Sequence, residues 1–227
     1  MIGRIREIVG RRGIRGTLGA LTRILPWTRW HDEFEFYELD LTAPGRPRRP
    51  FTGALALRRG EPQDIGLLAQ LPHDPEVTTM SAERAQERLA AGAMFWLVTE
   101  HDRVAFCCWN FLGQGPLTGA QGRWRPLPGD VVLLEDSISS PDFRGRGVAP
   151  AAWSAIADIH AAAGRTGMIT KIAAGNEAVR RALVKAGFRD VAHMRRSGPV
   201  WRMRIAVTTP EGGPSEHWLA AAVATTG

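Results

Sequence analysis

The segment from residue 130 to residue 164 constrains the fold more than any other part of the chain. It begins with DVVLLEDSISS, whose valine, leucine and isoleucine residues predict a strand. The turn PDFRGRG follows, and then GVAPAAWSAIADIHAAAG, which predicts a helix that ends at Gly164. A strand, a short basic turn and a long helix in direct succession predict an α/β sheet with a helical crossover at its centre.

The flanking segments extend this sheet on both sides. Strands are predicted for FEFYELDL (34–41), GALALRR (53–59), AMFWLVTE (93–100), RVAFCCWNFL (103–112), GMITKIAA (167–174), FRDVAHMRR (188–196) and VWRMRIAV (200–207). Helices are predicted for PQDIGLLAQL (62–71), SAERAQERLAAG (81–92) and NEAVRRALVKAG (176–187), and a long loop for 113–129. The hairpins at both ends favour a mixed, mostly antiparallel central sheet flanked by helices.

Three parts of the chain are distinguished by composition. Residues 1–50 are predicted to be an N-terminal extension, with an amphipathic helix over 2–25, a strand, and the proline-rich linker TAPGRPRRP at 42–50. Residues 51–207 carry the predicted α/β domain, and 208–227 form a C-terminal tail.

The net charge of +6 is confined to the start of the chain. Residues 1–30 contain seven arginines and one glutamate, so the remainder is neutral. Three roles for this basic arm stay open: packing on the domain or on a homodimer partner, lying on an anionic membrane, or docking an acidic acyl carrier protein. Nucleic acid is not expected, because the basic residues are not interleaved with stacking aromatics.

The sequence indicates a cytoplasmic protein, with peripheral attachment to a membrane left open by the basic arm. No run of about 18 apolar residues is present, and the N-terminus lacks the pattern of a signal peptide. Cys107 and Cys108 are adjacent, so on a strand they point to opposite faces and are poor disulfide partners. With no third cysteine, neither a disulfide framework nor a thiol metal site is expected, and no metal is predicted.

The turn RGRG at 144–147 has the features of an anion site. The first N–H groups of a helix have no partner within the helix, and the helix dipole is positive at that end. Glycine lets a phosphate approach the backbone closely, and arginine adds paired donors. The turn therefore predicts a pyrophosphate site, although it lacks the G-x-G-x-x-G pattern and the G-K-S/T of a P-loop. Taken alone, it is equally consistent with a basic surface turn.

Two motifs in the expected order resemble those of a known family. RGRGVA (144–149) fits the Q/R-x-x-G-x-G/A signature of the GNAT superfamily of acyl-CoA N-acyltransferases, and LEDSISSPDFRGRG resembles the LEDxxVxPxxRGxG form of small-amine acetyltransferases. NEAVRRALVKAGF (176–188) is similar to the family's N-x-x-A-x-x-x-Y-x-x-x-G-F helix. The resemblance covers about residues 53–207. It implies acetyl-CoA or another acyl-CoA as donor and an amine as the usual acceptor.

The resemblance also implies where the donor binds. Its pantetheine arm would lie between the strand at 130–140 and a splayed neighbour at 168–174. The residues implied in donor binding are Ile138, Ser139 and Ser140 along the arm, the amides of Arg144, Gly145, Arg146, Gly147, Val148 and Ala149 at the pyrophosphate, and Asn176 on the other side of the arm.

Glu135 is the candidate catalytic base, since similar family members carry a catalytic glutamate at this place on the central strand. The alternative is that Glu135 or Asp136 pairs with an arginine across the sheet. Strict alternation predicts opposite faces for the two carboxylates. The helix tyrosine that protonates the thiolate in the family is replaced by Leu183, and Tyr37, the only tyrosine, is expected outside the core. The thiolate would then leave unaided or take its proton from water or another group.

Asn110 and Trp124 are candidate acceptor-binding residues, because Asn110 ends a predicted strand and Trp124 lies in the following loop. A turn-facing Asn110 is the alternative. Acids and arginines are mixed in the acceptor regions, which favours an amino sugar, a peptide amine or another small-molecule amine over a polyamine. The sequence thus predicts an N-acyltransferase, with a GNAT-like module that binds CoA or a carrier without catalysis as the alternative.

Overall fold

The structure, a computed structural model, describes residues 30–71, 81–118, 124–198, 204–213 and 217–224. The predicted helix at 2–25 lies outside these residues. Within the described ranges, no helix is both long enough and apolar enough to cross a membrane.

Most of the predicted elements are present with similar bounds. The strands are β1 (Trp30–Asp40), β2 (Leu55–Arg59), β3 (Met94–Glu100), β4 (Arg103–Leu112), β5 (Gln114–Gly115), β6 (Arg125–Pro126), β7 (Val131–Ser139), β8 (Gly167–Ala173), β9 (Arg189–Gly198) and β10 (Arg204–Thr208). The helices are α1 (Ala82–Ala90), α2 (Val148–Ala162), α3 (Glu177–Lys185) and α4 (Trp218–Ala224), with 3₁₀ helices at Pro62–Gln70 and Pro141–Phe143.

One eight-stranded sheet organises the molecule, in the order β10-β9-β1-β8-β7-β4-β3-β2. The pairing is antiparallel throughout except between β7 and β8, which run parallel and are connected by α2. The predicted mixed, mostly antiparallel sheet with a central helical crossover is confirmed. The predicted loop at 113–129 contains a small hairpin, because β5 pairs with β6.

Strand β1 lies inside this sheet, antiparallel to both β8 and β9. Phe36 and Tyr37 point to opposite faces, yet they are only 1% and 2% exposed, as expected for a strand that is covered on both sides. Tyr37 is therefore a core residue, contrary to the sequence expectation. The predicted boundary at 42–50 does not separate β1 from the domain, because β1 is hydrogen-bonded between two of its strands.

The two faces of the sheet are covered by different layers. One face packs against α2 and α3, and its core includes Val132, Leu134, Trp153, Ile156 and Leu183. The other face, called here the cleft face, packs against the first 3₁₀ helix, α1, α4 and the segment after β4, with a core that includes Phe95, Trp109, Phe111, Leu117 and Leu133. The alternation of apolar residues along β7 supplies both cores at once.

Strand β7 loses one neighbour along its length. Its parallel pairing with β8 runs from Val131 opposite Gly167 to Leu134 opposite Thr170. Pairing with β4 on the other side continues as far as Ser139. A gap therefore opens between β7 and β8 beyond Leu134, in the place where the sequence predicted splayed strands.

Candidate functional site

The wall of the gap formed by β7 offers free backbone groups. The N–H of Ser140 donates to the carbonyl of Ala105 on β4 at 2.9 Å. Because backbone groups alternate in direction along an antiparallel strand, those of Ser139 point away from β4 and into the gap. The Ser140 carbonyl accepts from Phe143, so both Ser140 backbone groups are used within the protein. Of the predicted contacts, Ser139 is well placed, whereas the backbones of Ser140 and, by the same alternation, Ile138 face β4.

The segment after β7 forms an amide-lined loop, defined here as residues 145–149, at the start of α2. Gly145 and Gly147 have φ values of 76° and 73°, a conformation that L side chains rarely adopt. The first helical hydrogen bond is donated by Ala151, to the carbonyl of Gly147. Among the described residues, the five N–H groups of the loop donate to no carbonyl. They form the start of a 15-residue helix and suit an anion.

Two arginines of the loop region differ in their partners. Arg144 is exposed. Arg146 donates to Glu100 at 2.6 Å and lies over the ring of Phe143, 4.8 Å from its centroid. This contact lowers the pKa of Glu100, chiefly through the hydrogen bond from Arg146. An anion in the loop would therefore share Arg146 with Glu100.

Asn176 and Leu183 lie across the gap, on and before α3. The Asn176 Oδ1 accepts from the N–H of Val179 at 3.3 Å, so Asn176 is the N-cap of α3. Its Nδ2 group is not needed for the cap and stays available to a ligand. Leu183 is 1% exposed and packs in the core against the sheet. The helix therefore uses position 183 for packing.

Glu135 lies at the apex of the gap. It is the first residue of β7 beyond the last pairing with β8, and its Oε1 is 2.5 Å from Nζ of Lys171, the equivalent residue of β8. The two side chains are only 10% and 6% exposed. Burial raises the pKa of Glu135 to about 7, and the charge of Lys171 opposes the rise. The Lys171 Nζ also donates to the carbonyl of Pro116 at 2.9 Å.

Asp136 lies on the same side as Glu135, and the prediction of opposite faces is wrong. The register with β4 pairs Trp109 with Glu135 but Cys107 with Ile138, so two residues of β7 oppose Cys108 alone. This β-bulge places Asp136 at φ 49° and turns its side chain towards the cleft face. There Asp136 pairs with Arg88 of α1 at 2.6 Å.

Aromatic rings form the wall of the site on the cleft face. The guanidinium of Arg88 lies 5.3 Å from the centroids of both Trp109 and Phe111. Trp124 packs edge-on against Phe111, with centroids 5.1 Å apart. Trp124 therefore lies on the same face as Glu135, as an acceptor-binding residue requires.

Asn110 does not line the cleft. It is in the interior of β4, fully buried, on the face that packs against α2. Its Oδ1 accepts from Trp96 Nε1 at 2.7 Å and lies 3.1 Å from His160 Nε2. The prediction that Asn110 faces the acceptor is wrong, because Trp109 and Phe111 lie on the cleft face and alternation along β4 turns Asn110 to the opposite face.

The two cysteines beside the described site are not suited to act as nucleophiles. Burial raises the pKa of Cys107 to about 12 and that of Cys108 well above its usual value. Neither thiol is a good nucleophile near neutral pH. In the described ranges, no cluster of three or more His, Cys, Asp or Glu side chains could hold a metal ion.

Lys171 and Arg88 are functional candidates that sequence reasoning missed. Each neutralises a carboxylate of the LED motif, and both partners come from distant segments. The sequence held one signal for Lys171, since it is one of two lysines in a chain with 29 basic residues. Its partner follows only from the register of β7 and β8.

Comparisons with known proteins identify the family and the fold. The acetyltransferase (GNAT) domain family matches residues 54–189. A Drosophila protein of known structure has a TM-score of 0.56 at 13% identity, covering 85% of this chain and 57% of that one. A GCN5-related N-acetyltransferase from Sphaerobacter thermophilus has a TM-score of 0.54 at 12% identity, covering 88% and 58%.

An acetyltransferase from the GNAT family from Colwellia psychrerythraea has a TM-score of 0.52 at 14% identity, covering 80% of this chain and 60% of that one. At such identities the likeness concerns the fold. The chain spans about three-fifths of the length of each of these structures. No curated protein matches the chain.

Proposed function

The chain belongs to the GNAT acetyltransferase family, and we propose that it is an N-acyltransferase. In this proposal it moves an acetyl or other short acyl group from acyl-CoA directly to an amine of a small molecule, an amino sugar or a peptide. Membership of the family supports acyl transfer in general. The donor, the acceptor class and the roles of single residues belong to the proposal.

The gap between β7 and β8 is the observation that carries this proposal. Its apex holds the Glu135 carboxylate, one wall exposes the backbone of Ser139, and its rim carries the free amides of residues 145–149. A donor with a diphosphate at one end and an extended arm with amide groups at the other fits these features, because the arm can pair like an added strand. Acyl-CoA has both parts, with the thioester at the far end of the arm.

The proposed reaction begins with the loss of a proton from the acceptor amine. Glu135 takes this proton, directly or through a water, as the amine nitrogen forms its bond to the thioester carbon. The tetrahedral intermediate then collapses, the C–S bond breaks, and CoA leaves as a thiolate that is protonated from solvent or from the protein. A carboxyl with a pKa of about 7 can both accept and release a proton near neutral pH. The high thiol pKa values of Cys107 and Cys108 favour this direct transfer over an acyl-cysteine intermediate.

The charges around Glu135 bear on the acceptor. Both carboxylates of the site already have cationic partners, Lys171 for Glu135 and Arg88 for Asp136. A polyamine would need unpaired carboxylates for its further ammonium groups. The aromatic wall beside Arg88 instead favours an amine carried on a ring or on another apolar body.

The test is an assay of thiol release from acetyl-CoA with a panel of amino sugars, amino acid amides, aryl-alkyl amines and polyamines. We expect turnover with at least one monoamine. The Glu135→Gln variant should lower kcat about 10²-fold or more, with donor affinity preserved, because the base is lost and the size of the side chain is kept. Glu33→Gln is the matched control, since Glu33 is an exposed carboxylate on β1.

A second candidate function is a module that binds CoA or an acyl carrier with little or no catalysis. The observation that favours it is the apolar Leu183, which places no proton donor on the helix beside the gap. Donor binding together with an unchanged background rate in Glu135→Gln would support this function over the first. Failure to bind any short acyl-CoA would contradict the first function, and failure to bind CoA or an acyl carrier as well would contradict the second.

The basic arm adds a proposal about partners. Strand β1 runs antiparallel to β8, so its first residues lie at the end of the sheet where the gap opens. Residues 1–29 precede β1 in the sequence, and their arginines suit an anionic membrane, an acidic carrier protein or a second copy of the chain. Removal of these residues should abolish binding to anionic vesicles or to a carrier if either is the partner. The free cysteines fit the proposed cytoplasmic location.

A further inference from the structure

Lys171 and Glu135 bridge the two strands at the point where backbone pairing stops. The last pair is Leu134 opposite Thr170, and the next residue of each strand contributes one partner of the ion pair. A second contact, from the Lys171 Nζ to the carbonyl of Pro116, fixes the ammonium group from the cleft face. The lysine is thus held at the apex of the gap by one ion pair, to Glu135, and one hydrogen bond, to Pro116.

We propose that Lys171 is a positioning residue for acyl transfer, whose ammonium group favours the ionised form of the buried Glu135 carboxylate and directs it into the apex of the gap. This inference rests on the proposed function, because it takes Glu135 as the base. It adds a residue to which no role was assigned by the sequence motifs.

The physical need for such a group follows from burial. A carboxylate that leaves water without a partner takes up a proton, and a protonated Glu135 cannot accept one from the amine. The other charged groups that face Glu135 are Asp136, which favours the protonated form, and Arg88, which opposes it. Since Arg88 is already paired with Asp136 at 2.6 Å, these two charges largely cancel. Lys171 is then the charged group that most strongly favours the ionised form of Glu135 against the effect of burial.

The contact also restricts the direction of Glu135. With Nζ 2.5 Å from Oε1, the second carboxylate oxygen is left for the proton of the acceptor or of a bridging water. The Pro116 carbonyl prevents the ammonium group from following the carboxylate if it turns. An uncharged side chain at position 171 would no longer favour the ionised form of Glu135. A longer side chain would change the direction in which the Glu135 carboxylate is held.

The first test uses the unmodified sequence. The chain has two lysines, so protein labelled with ¹³C and ¹⁵N in lysine gives two sets of Cε and Nζ resonances, which Lys185→Arg assigns. We expect the Lys171 resonances to shift with a midpoint near pH 7 as Glu135 ionises beside them. Glu135→Gln should remove this titration. Lys171 resonances that stay constant between about pH 5 and pH 9 would overturn the proposal.

The second test is the pH dependence of kcat/KM with acetyl-CoA and an accepted amine. Lys171→Met should move the midpoint of the ascending limb up by about one pH unit or more, so that activity falls about 10-fold at acidic pH and recovers at alkaline pH. Lys171→Arg, which keeps the charge, should retain a midpoint close to that of the unsubstituted protein. Lys185→Met, at the exposed end of α3, is the matched control and should leave the profile unchanged.

The outcomes separate this inference from the proposed function. An active protein with the same midpoint in Lys171→Met overturns the role of Lys171 and leaves acyl transfer standing. A protein without transferase activity contradicts the proposed function, while the resonance titration still decides whether Lys171 and Glu135 are coupled. If Lys171→Met does not fold, the resonance titration carries the decision.

Discussion

Asp136 and Glu135 are consecutive in β7, and both side chains face the cleft side of the sheet. The bulge opposite Cys108 reverses the direction of the Asp136 side chain, so that Asp136 forms an ion pair with Arg88. Glu135 forms an ion pair with Lys171. Two carboxylates and two cations are thereby gathered where β7 separates from β8. Because of the bulge, β7 presents both carboxylates on the cleft face and forms one wall of the site.

The ion pair between Arg88 and Asp136 should contribute more to the free energy of unfolding than an exposed ion pair does. Arg88→Met would leave Asp136 without its cation in a site where the two side chains are 12% and 23% exposed. It would also remove the contact of the guanidinium with Trp109. We expect a loss of roughly 2 kcal/mol in the free energy of unfolding, measured by urea denaturation.

The matched control for this pair is Arg103→Met. Arg103 pairs with Asp142, and the two side chains are 60% and 67% exposed. Its removal should cost less than about 1 kcal/mol, since exposed ion pairs contribute little. Equal losses in the two variants would show that burial of the Arg88 pair has no energetic effect.

Gly147 is required by its backbone conformation. Its φ of 73° is unfavourable for alanine, so Gly147→Ala should lower the free energy of unfolding by about 1 to 2 kcal/mol. The same change should weaken acetyl-CoA binding, because the amides at the start of α2 would be displaced. Gly66→Ala is the control: its added Cβ meets nothing within 4 Å and its φ lies outside the left-handed region, so stability should stay the same or rise slightly.

His160 should make stability depend on pH below neutrality. Burial is the main cause that lowers its pKa to about 4, and the ring lies beside Asn110 Oδ1 in the core. An unfolded histidine titrates near pH 6.5, so the stabilisation by neutral His160 is complete above that pH and is lost as the pH falls towards 4. We expect a loss of about 3 kcal/mol over this window.

The check is a comparison of unfolding free energies between the unsubstituted protein and His160→Gln from pH 4 to pH 8. Glutamine keeps an N–H donor for Asn110 but does not titrate in this range. The difference between the two proteins should shrink as the pH falls. A difference that is independent of pH would mean that His160 is not held in its neutral form.

Local sequence patterns predicted the helices and strands well, because apolar periodicity and capping residues depend on each segment alone. Ser81 caps α1 and Asn176 caps α3, and each is the first residue of a segment that was predicted to be a helix. The place of β1 was not predictable in this way. A strand that is apolar on both faces indicates burial, but which strands it pairs with depends on contacts more than 100 residues away, as with Phe36 and Lys171.

In the site, too, features that are local in the sequence could be predicted, and those that depend on distant contacts could not. The amide-lined loop could be predicted because its glycines, arginines and helix start are consecutive in the chain. The partners of the two carboxylates could not, since a single bulge residue reverses the alternation from which the facing of Asp136 was inferred. The prediction for Asn110 was wrong for a different reason: it considered the nearness of Asn110 to the following loop and not its facing, and Asn110 lies on the face opposite Trp109 and Phe111.

The central claim is that residues 145–149 hold the pyrophosphate of acyl-CoA, and calorimetric titration with acetyl-CoA tests it most directly. The unsubstituted protein should bind, and the double variant Arg146→Glu, Gly147→Glu should not, because two carboxylates and a side chain at a left-handed position would occupy the loop. Absence of binding by the unsubstituted protein, or equal binding by the two, would contradict the account.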